Sequence, residues 1–209
     1  MAGISIKTYL ITIAAGMLFL SSCAKKDSDE LSALDDYSEQ RISKDQFFKN
    51  DPNSPLLEKD RPGFISLKYY DPDSDYKFTG QIQKYEDQEV VEMLTSTSEL
   101  QKFYKYGYFT FNIDGNDHSL QLYKAVDASG HDPYYFIPFK DLTNGSGTYP
   151  AGRYLDIPVT ENNIITVDFN AAYNPYCAYS PYYSCPLPPM ENHLKVRIST
   201  GEKDYKAGA

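Results

Sequence analysis

The sequence predicts a mainly β fold: an antiparallel sandwich or partly closed barrel with a short helical N-terminal preface. Three observations carry this expectation. From residue 64 onward, apolar and polar residues alternate in short runs, the pattern of strands with one buried face. Turn-forming residues separate those runs at short intervals, among them Asp114-Gly115 and Asn162-Asn163. Ahead of them, residues 31–50 are polar, with Leu34, Ile42, Phe47 and Phe48 spaced through them, which suits one or two short helices. Many short strands joined by turn chemistry favour a sandwich or barrel. No segment repeats at a fixed period, which argues against a propeller or solenoid.

The N-terminus comes first. Lys7 precedes an almost unbroken apolar run over residues 9–20. As a helix that run spans roughly 18 Å at about 1.5 Å per residue, too short for a bilayer core of about 30 Å, so it reads as a signal peptide. It ends in Leu20-Ser21-Ser22-Cys23, which resembles the bacterial lipobox, in which the cysteine thiol receives diacylglycerol. The expected organisation is a signal peptide over residues 1–22, a lipidated Cys23 with a flexible tether over 23–33, and a single β-rich domain with an N-terminal helix over 34–209. Burying acyl carbons is worth about 0.8 kcal/mol per CH₂, and more than one chain anchors stably. The expected location is the cell envelope at the outer membrane, with the leaflet left open. Acidic residues soon after Cys23 loosely resemble surface-export signals of Bacteroidetes lipoproteins, although Lys25 and Lys26 precede them.

The remaining elements follow in order. Ser38 or Ser43 caps the preface, and Ser43 with Gln46 resembles a capping box. Asp51-Pro52-Asn53-Ser54-Pro55 ends it, because proline removes an amide donor and restricts its predecessor. Strands are expected over residues 64–70, 76–78, 82–85, 89–94, 106–113, 119–125, 134–139, 153–159, 164–169 and 194–198. Asp114-Gly115 predicts a hairpin between the fifth and sixth of these, since that pair tolerates positive φ, and Asn162-Asn163 predicts a second.

A formal net charge of −9 and a pI near 4.8 argue against nucleic acid, whose phosphates need a basic surface. With Cys23 lipidated, Cys177 and Cys185 are left. In an oxidising compartment a disulfide is the natural reading, worth about 2.5 kcal/mol for so short a loop. Free thiols, or a metal site with His193, are the alternatives, although the spacing lacks the Cys-x-x-Cys of most zinc knuckles. His118 and His131 adjoin turn residues and read as surface positions. No cofactor or metal is expected.

A further set of motifs has a more particular likeness. The segment Gly147-Thr148-Tyr149-Pro150-Ala151-Gly152-Arg153-Tyr154-Leu155-Asp156 is followed by Asp168-Phe169-Asn170-Ala171-Ala172-Tyr173-Asn174-Pro175, then Cys185-Pro186-Leu187-Pro188-Pro189-Met190-Glu191-Asn192, then Gly201-Glu202-Lys203. With Ser54-Pro55-Leu56, Met93-Leu94-Thr95-Ser96 and Ile137-Pro138-Phe139-Lys140-Asp141, this order resembles the bacterial family catalogued as domain of unknown function 1684, over most of residues 47–203. The resemblance implies export and brings no activity with it.

Within those motifs Arg153, Asp168, Asn170, Tyr173, Asn174, Glu191, Asn192 and Glu202 are polar residues at or beside expected strand ends, where a rigid β frame can gather them into a ligand pocket. They can equally cap turns and anchor loops. No Gly-x-Ser-x-Gly elbow, His-Glu-x-x-His or phosphate-binding glycine loop occurs. The favoured function is therefore a non-enzymatic ligand-binding or envelope-structural domain, with the membrane as partner through its lipid and a small molecule or glycan as ligand. Clustered tyrosines suit sugar stacking as well as sheet packing. The rival reading is a hydrolase using Asp168, Glu191 or Glu202 as acid and base.

Overall fold

The computed structural model describes residues 20–126 and 134–205. Residues 1–19, most of the expected signal peptide, and His131 lie outside the described residues. The first element, α1 (Leu20–Asn50), is one continuous helix. Residues 23–33, expected as a tether, are helical within it, and Cys23 belongs to its backbone. Ser38 and Ser43 are interior to α1 and cap nothing. The Ser38 hydroxyl instead donates back to Leu34 O, an i−4 bond that relieves the usual conflict of serine with a helix interior.

The C-terminal end of α1 is well satisfied. Arg61 donates to the carbonyls of Asp51 and Ser54 through its terminal nitrogens and to Leu56 through Nε, while the Ser54 hydroxyl donates to Phe48 O. The Ser54 hydroxyl thus replaces an intrahelical donor that the last turn of a helix lacks, while Arg61 fixes the segment that follows the helix. Phe48 itself packs with Leu56, Phe64, Leu67, Ala178 and Tyr179 in a small cluster that docks α1 on the rest of the chain.

Eight strands follow: β1 (Lys77–Gln81), β2 (Gln83–Lys84), β3 (Val90–Leu94), β4 (Leu100–Ile113), β5 (Asn116–Ala125), β6 (Tyr134–Phe139), β7 (Arg153–Pro158) and β8 (Ile164–Asp168). The larger sheet runs β2-β4-β5-β6-β7 with β3 also on β4, and a two-stranded sheet pairs β1 with β8. All ladders are antiparallel. The sheets do not close into a barrel. The β4–β5 hairpin turns at Asp114 and Gly115, both at positive φ (51° and 79°), the requirement of a type I′ turn.

Both faces of the large sheet are buried, and a bulge in β4 switches that strand's inward residues from one face to the other. The register shifts between Lys105 and Gly107, so alternation changes parity there. Phe109, Phe111 and Ile113 join Leu120, Leu122, Tyr135, Ile137, Phe139, Leu155 and Ile157 on one face, with Ile165 and Val167 of β8 in the same core. Phe103, Tyr123, Phe136 and Tyr154 point to the other face with Met93 and Cys185. Each fully buried large apolar side chain contributes about 1.5–3 kcal/mol, so the two faces together supply most of the drive to fold.

Three strand expectations need correction. Residues 64–70 form no strand beyond the bridge Tyr69↔Glu202, because the Leu67 amide is taken by Asp45 Oδ1 at 2.8 Å. Residues 194–198 form none either. Their amides go to Lys140 O and Asp141 Oδ1, and Arg153 takes the Ile198 carbonyl. Asn162-Asn163 does turn the chain, with Asn163 at φ 55°, but β7 and β8 are not a hairpin. β7 pairs with β6 and β8 with β1, so the turn carries the chain from one sheet to the other.

Candidate functional site

The Glu202 carboxylate is fully buried at 0% exposure and accepts four hydrogen bonds. It accepts from Lys44 Nζ at 2.9 Å, from Asn174 Nδ2 at 2.9 Å, from the Asn174 amide at 3.2 Å and from the Tyr179 hydroxyl. Burial, then the carboxylate itself, raises the Tyr179 phenol well above its ordinary range, so it remains a donor. The local backbone explains the inward aim of Glu202. Gly201 sits at φ +77°, and a Cβ there would lie 2.6 Å from Phe169 O and 2.9 Å from Ala172 O. Only glycine adopts this turn without strain. Gly201→Ala is expected to cost about 2–4 kcal/mol, summing a left-handed residue and an overpacked site, read as a lower urea midpoint at unchanged m-value.

Beside Glu202, α1 and the β domain line a half-open cavity of about 80 Å³. Tyr37, Gln40, Arg41 and Lys44 line it from the helix; Tyr69, Asn170 and Tyr173 line it from the domain. The spacing of Tyr37, Arg41, Lys44 and Phe48 (i, i+4, i+7, i+11) places them on one helical face. Two cross-links hold that face down: Lys44 to Glu202, and the Tyr37 hydroxyl to Asp168 Oδ2 at 2.5 Å. Asp168 also pairs with Lys77 at 3.4 Å. The Arg41 guanidinium lies 4.4 Å over the Tyr69 ring. Burial lowers the Arg41 pKa, and burial followed by Glu202 raises that of Tyr69. Arg41 Nη2 and the Tyr69 hydroxyl are both buried without a hydrogen-bond partner.

The sequence-predicted residues divide into groups. Asp168, Asn170, Tyr173, Asn174 and Glu202 gather at or just behind this cavity. Asn170 is fully engaged: its Oδ1 accepts from the Asp73 amide at 2.7 Å and from the Thr200 hydroxyl, and its Nδ2 donates to Asp73 O and Asp168 Oδ1, both at 2.9 Å. Tyr173 donates to Asp156 Oδ2 at 2.5 Å.

Arg153 is separate, buried at 0% exposure behind the large sheet. Its Nη2 donates to Asp141 Oδ2 and Ile198 O, both at 2.9 Å, and its Nη1 to Thr200 O. Burial lowers its pKa, and Asp141 opposes that shift. This group staples the 141–148 loop to the chain end and reaches no solvent.

Glu191 and Asn192 form a third location, on β4 and β5. Burial would raise the Glu191 carboxyl, but hydrogen bonds from Lys105 and Tyr123 (2.8 and 2.7 Å) hold it below the usual range. Asn192 bonds both backbone groups of Gln121 and the Pro138 carbonyl. It thus behaves as a surrogate peptide between β5 and β6.

Cys177 and Cys185 are free thiols in this structure, which therefore lacks the expected disulfide. They are neighbours all the same: the Cys177 amide donates to Cys185 Sγ at 3.2 Å. Hydrogen bonding from Cys185 lowers the Cys177 thiol to about 6 and pushes Cys185 up. Among the described residues no three His, Cys, Asp or Glu side chains are grouped to hold a metal, and His193 Nε2 turns to Pro188 O. The Cys23 side chain lies outside what the structure describes.

Tyr37, Arg41, Lys44, Tyr69, Tyr179 and Asp141 were missed by sequence reasoning. The i, i+4, i+7, i+11 stripe of α1 was the available signal for the first three. No comparable local pattern marks the others, whose roles depend on contacts across the fold.

Taken together, these features define a small antiparallel β domain with an N-terminal helix docked over a cavity that polar and apolar groups share. The chain belongs to the family described as protein of unknown function (DUF1684), whose model matches residues 62–203. It is similar to an uncharacterised protein from gene locus rrnAC0354 of Haloarcula marismortui, known from a solution NMR structure. That match has 32% identity and a TM-score of 0.65, and it covers 85% of this chain and 96% of the other. No curated protein matches the chain.

Proposed function

We propose that this chain is a lipid-anchored protein of the bacterial cell envelope, processed before Cys23, whose β domain binds a small polar ligand without transforming it. The observation that supports binding is the cavity beneath α1, where the buried donors Arg41 Nη2 and Tyr69 OH have no partner within the protein. Buried polar groups are nearly always paired, and two unpaired donors on residues that line one cavity suit an acceptor from outside. The anchoring half of the proposal rests on Leu20-Ser21-Ser22-Cys23 after an apolar run.

Hydrolysis has less support. Asp168, Glu191 and Glu202 each belong to a different hydrogen-bonded set, whereas glycoside hydrolysis by a carboxylate pair needs both flanking one bond.

Native and intact-mass spectrometry of the chain extracted from bacterial membranes in mild detergent tests both halves. The expected spectrum shows loss of residues 1–22, added acyl mass on Cys23, and a small retained ligand. A Cys23→Ser variant is expected to remain unprocessed. A processed chain with no adduct in any preparation would count against binding, and an unlipidated chain against anchoring. The same spectrum reads Cys177 and Cys185, about 2 Da lighter if they are joined.

A further inference from the structure

We infer that the cavity beneath α1 is a carboxylate-binding site, in which Arg41 and Tyr69 hold the two oxygens of a small organic acid. The inference rests on the ligand-binding reading above and assigns its chemistry. Charge gives the first argument. The cavity is lined by two cationic side chains and by no carboxylate. Lys44 is already neutralised by Glu202 at 2.9 Å, and Asp168 is taken by Tyr37 and Lys77. Arg41 alone has no ion pair among the described residues; Asp71 acts on it only through space. A partly buried guanidinium with no carboxylate in contact is costly, and an anionic ligand supplies that contact.

Geometry gives the second argument. The Arg41 guanidinium carbon sits 4.4 Å from the centre of the Tyr69 ring, a cation–π contact that limits the rotamer freedom that binding would otherwise cost. Among the lining residues two buried atoms are unpartnered, Arg41 Nη2 and Tyr69 OH, and both can donate. Burial raises the Tyr69 phenol, so its proton stays in place. Two donors match the two oxygens of a carboxylate.

Size and net charge select within anions. A single water needs roughly 10–15 Å³ of such space, so a cavity of about 80 Å³ holds a group of a few heavy atoms. A dianionic phosphate would bring a second charge close to Asp168 and Glu202, with a single uncompensated cation to meet it. The monoanion is the better fit.

Thermal unfolding of the full chain in a neutral detergent, followed by circular dichroism, tests this. The probes are sodium acetate, sodium phosphate and the neutral isostere acetamide, at ionic strength fixed with sodium chloride. Acetate is expected to give a saturable rise of roughly 3–6 °C at ten times its dissociation constant, with acetamide giving none. Arg41→Gln is expected to weaken acetate by at least roughly tenfold, and Tyr69→Phe by less. General stabilisation by phosphate persists in Arg41→Gln, so the difference between the two proteins isolates the site. Equal responses to acetate and acetamide, both lost in Arg41→Gln, would overturn the carboxylate assignment and leave ligand binding standing. So would an Arg41-dependent response to phosphate that exceeded that to acetate. No Arg41-dependent response to any of the three would overturn the carboxylate site, and with an adduct-free mass spectrum it would remove the ligand-binding reading too.

Discussion

Arg153→Met is expected to destabilise the protein by about 3–5 kcal/mol, the usual cost of removing one partner from a buried ion pair. The substitution keeps the length and apolar stem of the side chain, so packing on the Phe139 ring, 5.3 Å from the guanidinium carbon, largely survives. What it removes is the counter-charge of Asp141, whose side chain is as inaccessible as that of Arg153. It also removes the donors to the carbonyls of Ile198 and Thr200. For a chain of this size the loss corresponds to a fall of roughly 6–20 °C in the unfolding midpoint. The second half of the experiment separates charge from hydrogen bonding. Asp141→Asn in the Arg153→Met background keeps an acceptor for the Thr143 and Ile198 amides and deletes the uncompensated charge, so it is expected to recover more than half of the loss. A double variant no more stable than Arg153→Met would show that the lost carbonyl bonds dominate.

That pair also shows what was legible in the sequence. Arg153 stands out among the motif residues, yet nothing local distinguishes a cation that faces a ligand from one that faces Asp141 across the core. The decision is made by the 194–202 segment, which wraps over it. Local chemistry was legible: Asp114-Gly115 specifies its own hairpin because positive φ at two successive residues fixes both turn and register. Asn162-Asn163 specified a turn but not its partners, since β8 pairs with β1 far away in sequence. Asn170 and Asn192 were read as pocket candidates, but side-chain amides are also substitutes for a peptide neighbour, and the structure uses them in that way. Asp168, Tyr173, Asn174 and Glu202 do converge. The wall they face was hidden because the helical preface read as separate from the C-terminal motifs. Only the docking of α1 brings Arg41 and Lys44 opposite them.

Glu202→Gln is the substitution expected to undo that docking, at a cost of about 3 kcal/mol. All of the groups around the carboxylate are donors: Lys44 Nζ, both nitrogens of Asn174 and the Tyr179 hydroxyl. A glutamine can turn its oxygen toward Tyr179 and Asn174 Nδ2, but its own NH₂ then faces Lys44 and the Asn174 amide, donor against donor. The Lys44 side chain is 27% exposed, so its charge is partly solvated and the salt bridge alone is worth less than a buried pair. The greater part of the loss comes from the unsatisfied donors. Because Lys44 reaches in from α1 and the other donors belong to the β domain, the effect should be local before it is global. Limited proteolysis is expected to cut α1 in Glu202→Gln under conditions that leave β4 to β7 intact, as sub-global opening predicts. Lys44→Met in the Glu202→Gln background removes the clashing donor and is expected to restore part of the stability, giving a positive coupling in a double-mutant cycle. Additive losses, or cleavage spread evenly along the chain, would mean that Glu202 holds the C-terminal segment alone and that the helix over the cavity is kept in place by Phe48 and its apolar neighbours.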